Sequence, residues 1–276
     1  MENLTNFSGI ALLAAALFYL AAFLVSLSFI FKGDPGKLPQ FTRRFLLLGL
    51  VAQSVSFAAE ARVSGLVLPV LSFSGALNFF ALSIVSIYFL LGLKREIRTF
   101  SLVASPVLFM LLLMSFIGYS ISTKPFDYKM TLPFVIHIVA TFFAYGAFFV
   151  SFTSSIFYLV QDDLLKRKRS SHLFYKLPSL ETLHEIINET IDWGFALLTV
   201  GMVVAGFWLF KIEGAVSDWH TGGKLFLSLL VWAVYLTIVI TKGLGFAKGK
   251  NAALLSLGAF SFTMLAFLGA RLTGTF

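Results

Sequence analysis

The stretch LPFVIHIVATFFAYGAFFVSFTSSIFYLV, Leu132 to Val160, runs for 29 residues without one Asp, Glu, Lys or Arg. A helix needs about 20 predominantly apolar residues to cross roughly 30 Å of hydrocarbon, so this segment reads as a membrane span. Seven more segments meet or approach the same test, at 8–31, 43–62, 73–93, 99–119, 192–211, 224–242 and 251–271, the quoted span itself being taken as 132–161. The expected fold is an all-α integral membrane protein, a bundle of eight transmembrane helices forming one domain over residues 1–276. The first span, Ser8–Phe31, is too long for a signal peptide and has neither a basic leader nor a clear cleavage site, so it reads as retained.

Composition agrees with that reading. The chain is 58% apolar and 12% charged, with 33 Phe, whereas a soluble domain carries about 25% charged residues. The absence of cysteine excludes disulfides, thiolate metal sites, thioether attachment of a haem and Cys nucleophiles. The net charge of +8 comes from cations grouped between apolar runs. They read as topology signals and not as a nucleic-acid stripe, so lipid is an expected partner and nucleic acid is not.

The grouping of the cations sets the direction of the spans. Lys32, Lys37, Arg43 and Arg44 follow span 1, Lys94, Arg95 and Arg98 follow span 3, Lys166 to Arg169 follow span 5, and Lys242, Lys248 and Lys250 follow span 7. The other linkers are poorer, with Arg62, then Lys124 and Lys129, then Lys211 and Lys224. By the positive-inside rule the odd linkers are cytoplasmic, and both termini lie outside the cytoplasm in the cell's inner (plasma) membrane. In the longest linker, 162–191, the stretch SLETLHEIINETID (Ser179 to Asp192) puts Leu180, Leu183, Ile186 and Ile187 on one face and acids on the other. This predicts a short amphipathic helix at the inner surface, either a connector packed on the bundle floor or a docking site for a cytoplasmic partner.

Ionisable and amide groups inside spans are costly and therefore informative. Span 2 carries Gln53, Ser56 and Glu60 on one helical stripe with Arg62 beyond. Span 3 carries Asn78, span 5 carries His137, Thr141 and Tyr145 at successive i+4 steps, and span 8 ends in Arg271. With the orientation above, Glu60, Arg62, Asn78, His137 and Arg271 fall toward the outer ends of their helices, on the side of the linker holding Asp218, Trp219, His220 and Lys224. Taken one at a time these residues have plain structural readings: Glu60 paired with Arg62 or Arg271, His137 donating to a carbonyl. As a set they match a b-type, non-covalent haem: imidazole ligates iron, Arg and Lys pair with propionates, and aromatic faces cover the macrocycle. His137 and His220 are then the candidate axial pair on the iron. Arg62, Arg271 and Lys224 would face the propionates, with Trp219 beside the ring. His172 and His184, in the cytoplasmic linker, read as surface residues. No G-x-S-x-G elbow, H-E-x-x-H pair or P-loop occurs, which argues against a hydrolase or a nucleotide-driven machine and leaves a non-enzymatic reading.

Leu132 to Phe149, WGFALLTVGMVVAGFWL (Trp193 to Leu209), KLFLSLLVWAVYL (Lys224 to Leu236), GKNAALLSLGAF (Gly249 to Phe260) and FLGARL (Phe267 to Leu272) occur in this order. With FAAEAR (Phe57 to Arg62), this order over roughly residues 45–272 resembles the cytochrome c assembly family of CcsA and CcmC relatives, nearest to its small eight-span HemX-like and YpjD-like branch. The resemblance implies haem handling at the outer face, by histidines beside a tryptophan-rich loop, with the family histidine opening the fifth span falling at His137. It implies as partner another cytochrome c assembly component. The chain departs from the family where DWHTGGK (Asp218 to Lys224) replaces the acidic-proline core of the loop, and where family histidines fall at Gln53 and near Ile240. Two alternatives stay open. One is a HemX-like regulator binding a haem-biosynthesis enzyme through the cytoplasmic linker. The other is a solute transporter, which should show inverted repeats and broken helices. Gly194 and Gly201, seven apart on one face, suit close helix packing instead.

Overall fold

Long apolar runs leave the backbone no water to bond, so each closes its own hydrogen bonds as a helix. The computed structural model describes residues 2–31, 38–93, 98–119, 130–167, 177–209 and 219–272, and among these it has eight long helices. They are α1 (Glu2–Phe31), α2 (Leu38–Ser64), α3 (Phe73–Gly92), α4 (Ser101–Tyr119), α5 (Leu132–Lys166), α6 (Leu180–Leu209), α7 (Trp219–Gly243) and α8 (Lys250–Leu272). All eight are long and apolar enough to cross a membrane, as the sequence predicts. Lys32, Lys37, Lys94, Arg95, Lys124, Lys129, Lys168, Arg169, His172, Lys211 and Asp218 lie outside the described residues.

The helices form two compact units, the first of Met1–Thr131 with Ser170–Pro178 and the second of Leu132–Arg169 with Ser179–Phe276. In the first, α1 packs on α2 and α4, and α3 packs on α4 and α2. Lipid tails are as apolar as leucine, so these helices are joined by small residues and by hydrogen bonds between them. Ser8 and Ser56 each donate to the other's carbonyl, at 3.3 and 2.9 Å. Ser74 and Ser115 do the same at 2.7 and 2.9 Å, and the hydroxyls of Ser26 and Ser101 meet at 2.8 Å.

In the second unit α5 is central, with α6 and α8 against it and α7 against α6 and α8. Gly194 and Gly201 are the reason α5 and α6 approach so closely. A Cβ on Gly194 would collide with the Phe148 ring, which is held by stacking on Tyr235 at 3.5 Å between centroids.

Two boundaries differ from expectation. The amphipathic stretch is helical and its apolar face is the predicted one, with Leu183, Ile186 and Ile187 fully buried, but it is the first half of α6 and not a separate surface helix. Nothing between Ile191 and Phe195 breaks a helix, since Pro is absent and one Gly costs only about 1 kcal/mol. The change from amphipathic to wholly apolar therefore leaves the helix intact. For the same reason His220 sits in the first turn of α7 and not in a glycine loop: Gly222 and Gly223 are overridden by the cooperative helix that follows.

Candidate functional site

In the first unit the stripe Gln53, Ser56 and Glu60 is buried as a set, at 0%, 0% and 7% exposure. Gln53 is the centre of a chain that begins at Tyr19, a residue the sequence reading did not single out. The Tyr19 hydroxyl donates to Gln53 Oε1 at 2.6 Å, and Gln53 Nε2 donates to the Asn78 backbone O at 2.8 Å and to Asn78 Oδ1 at 3.0 Å. A backbone carbonyl can only accept, so the Gln53 atom facing it is the nitrogen, which in turn makes its neighbour on Asn78 the oxygen. The polarity of the chain is therefore fixed, and a lone tyrosine hydroxyl inside an apolar span was the sequence signal for it.

Glu60 makes no ion pair among the described residues, and Arg62 is exposed. The expected Glu60–Arg62 pair is thus not formed. Residues two apart on a helix point to different sides, which is the physical reason.

In the second unit His137 lies in the first turns of α5, half-buried, with Thr141 and Tyr145 continuing its face inward. Its Nδ1 is 2.8 Å from the carbonyl oxygen of Gly201 on α6. Because that oxygen accepts, Nδ1 carries the hydrogen, and in the neutral ring Nε2 keeps its lone pair. No hydrogen bond occupies Nε2 among the described residues. Below it, Thr141 Oγ1 is buried without a hydrogen-bond partner. Further inward Trp232 Nε1 donates to Thr199 Oγ1 at 3.0 Å, tying α7 to α6.

Arg271, Trp219, His220 and Lys224 are described at the level of the backbone, and helix register places them. The Ser151 and Ser256 hydroxyls meet at 2.7 Å and set α8 against α5. From that point His137 is 14 residues along α5 and Arg271 is 15 along α8, rises of about 21 and about 22 Å. The two are therefore level on adjacent helices. On α7, His220 is 12 residues before Trp232, while Gly201 is 2 residues past Thr199 on α6. His220 is thus about 15 Å, and Lys224 about 9 Å, farther along the axis than the carbonyl that holds His137. By register the backbones of His137 and Arg271 are level along adjacent helices, and that of His220 lies farther along the axis. Glu60 and Arg62 belong to the first unit.

His184, read as a surface residue, is half-buried: Asn188 bonds its Nε2 at 3.0 Å, one turn from the ion pair of Lys242 with Asp192. Among the described residues no three His, Cys, Asp or Glu side chains form a metal cluster.

Comparison with known proteins gives a consistent kinship. Protein HemX of Bacillus subtilis is 29% identical over 133 residues, covering 48% of this chain and 47% of HemX. The cytochrome c biogenesis protein CcsA of Nostoc punctiforme is 32% identical over 100 residues, covering 36% of this chain and 28% of CcsA. The matches thus span about half or less of those relatives. The solved structure of cytochrome c heme lyase CcmF is similar in fold, with a TM-score of 0.56 at 16% identity, over 99% of this chain and 50% of that one. The model of the cytochrome C assembly protein family matches residues 70–276, well over half of the chain, and this multi-pass membrane protein belongs to that family.

Proposed function

We propose that the protein holds haem for cytochrome c assembly, at the end of its second unit where α5 begins, with His137 as an axial ligand to the iron. The observation that carries this is the hydrogen bond from His137 Nδ1 to Gly201 O, which orients the ring and leaves Nε2 free to ligate. The donor set fits the group: a neutral imidazole for iron and, level with it, the cation Arg271 for a propionate. A bound haem would supply the iron; the chain's part is to orient the imidazole, neutralise the carboxylates and present apolar surface. Phe134 and Trp208, 5.4 Å apart between centroids near the same helix ends, add aromatic surface there. With no cysteine in the chain for thioether attachment, the proposed haem is held through side-chain ligation alone, as a non-covalent b-type haem would be.

His220, Lys224 and Trp219, farther out on α7, then serve the approach of haem more than its iron, and Arg62 with Glu60 belongs to the first unit's own end. This reading has the chain hold or pass haem without making or breaking a covalent bond. Positive-inside bias supports an orientation in the inner membrane with this site outside, both termini outside, and another assembly component as partner. The test is the absorption spectrum and haem content of protein purified from haem-replete cells. Wild type should show a Soret band, His137→Ala should lose it and His220→Ala should largely retain it; an unchanged spectrum in His137→Ala would remove the site.

The similarity to HemX favours a second reading, regulation of a tetrapyrrole-biosynthesis enzyme from the cytoplasmic side. Leu183, Ile186 and Ile187 on the apolar face of α6 are buried, so docking would use the exposed acid Glu181. Co-purification of such an enzyme, lost on charge reversal at Glu181, would support it.

A further inference from the structure

His137 is held from behind by a residue with no side chain, and that absence sets the geometry. A Cβ added to Gly201 would stand 3.0 Å from Thr141 Oγ1, 3.4 Å from His137 O and 3.5 Å from Ala140 Cβ. All three atoms belong to the turn of α5 that carries His137. Only the approach to Thr141 Oγ1 is tighter than ordinary contact, and a helical threonine has two χ1 wells, so what yields there is either this hydroxyl or the spacing of the helices. A side chain at 201 therefore presses on Thr141 Oγ1 at the level where Gly201 O must stay 2.8 Å from Nδ1, and moving α6 by a few tenths of an ångström to relieve that contact strains the bond.

We propose that Gly201 is a positioning residue for His137. Its missing side chain sets the spacing of α5 and α6, and its carbonyl fixes the Nδ1–H tautomer and makes Nε2 a stronger electron donor. The proposal rests on the reading that His137 ligates haem, and it adds an electronic consequence. An imidazole that donates Nδ1–H to a carbonyl carries more negative charge at Nε2, which favours the iron's higher oxidation state. The site is thereby biased toward ferric haem. Thr141, whose hydroxyl has no bond to lose, is the residue whose trimming should compensate a side chain at 201.

The test has two arms, so that a failure of haem binding and a failure of this proposal are distinguishable. In the haem-free protein in nanodiscs, the ¹⁵N resonances of the His137 ring report its tautomer. Wild type and Thr141→Ala should show Nδ1 protonated and Nε2 bare, Gly201→Ala should show a mixture, and Thr141→Ala/Gly201→Ala should return to the wild-type pattern. In the haem-loaded protein the midpoint potential should rise in Gly201→Ala and fall back in the double variant. Should Gly201→Ala fail to fold, the wild-type tautomer and the double variant carry the test. A wild-type ring protonated at Nε2, or a Gly201→Ala tautomer matching wild type, would overturn the proposal whether or not haem binds. A shifted tautomer with an unmoved potential would overturn its electronic part.

Discussion

Replacing Gln53 by Leu in the first unit removes three hydrogen bonds at once, one from Tyr19 and two to Asn78. Buried side-chain hydrogen bonds in membrane proteins contribute about 0.6 kcal/mol each on average and up to about 1.7. The Tyr19 hydroxyl, at 0% exposure, would also be stranded without an acceptor, at about 1–3 kcal/mol. With the three bonds at their average value, the sum is a loss of about 3–5 kcal/mol. Tyr19→Phe removes one bond and leaves only Gln53 Oε1 unmatched, so its cost should be about half of that. The double variant takes away both ends of the Tyr19–Gln53 bond together, and its cost should fall short of the sum of the singles by about 0.6–1.7 kcal/mol. Reversible unfolding in mixed micelles, with far-ultraviolet circular dichroism as the readout, measures all four corners of this cycle. Gln53→Leu unfolding within about 0.5 kcal/mol of wild type, or strictly additive singles, would refute the reading of a polarity-locked chain.

Other predictions follow from single contacts. Gly194→Ala puts a methyl into the Phe148 ring, which its stack on Tyr235 keeps from turning aside, and should lower stability by about 1–3 kcal/mol, as overpacking does; thermal unfolding checks it. Lys242→Met breaks the ion pair with Asp192, but that carboxylate is half exposed, so the loss in the same assay should stay below about 1 kcal/mol. A reporter fused at Ser170, after the basic run Lys166 to Arg169, should be active only in its cytoplasmic form; activity only outside would reverse the orientation.

The spans were legible because lipid imposes a length and a polarity that sequence shows directly: all eight expected segments are helices. His137 was legible because an imidazole in an apolar run is rare, and Gly194 and Gly201 because a seven-residue spacing of glycines marks a packing face. What the sequence hid were events that hydropathy does not encode. The helix of α6 runs from its amphipathic half into its apolar half without a break, and α7 begins with two glycines in its first turns. Tyr19 escaped notice because one hydroxyl hardly lowers a span's hydropathy, although its 2.6 Å bond organises the first unit's interior. Linear order makes His137 and His220 the candidate axial pair; the register fixed by Trp232 and Thr199 offsets their backbones along the axis, and that fixed by Ser151 and Ser256 puts Arg271 level with His137.

Ligation of haem iron by His137 is tested most directly by removing the imidazole and returning it. His137→Gly, purified from haem-replete cells, should lose the low-spin haem spectrum of wild type, and free imidazole added to the haem-reconstituted variant should restore it, since the cavity vacated beside Gly201 O admits the same ring. A wild-type spectrum in His137→Gly without imidazole would contradict the account.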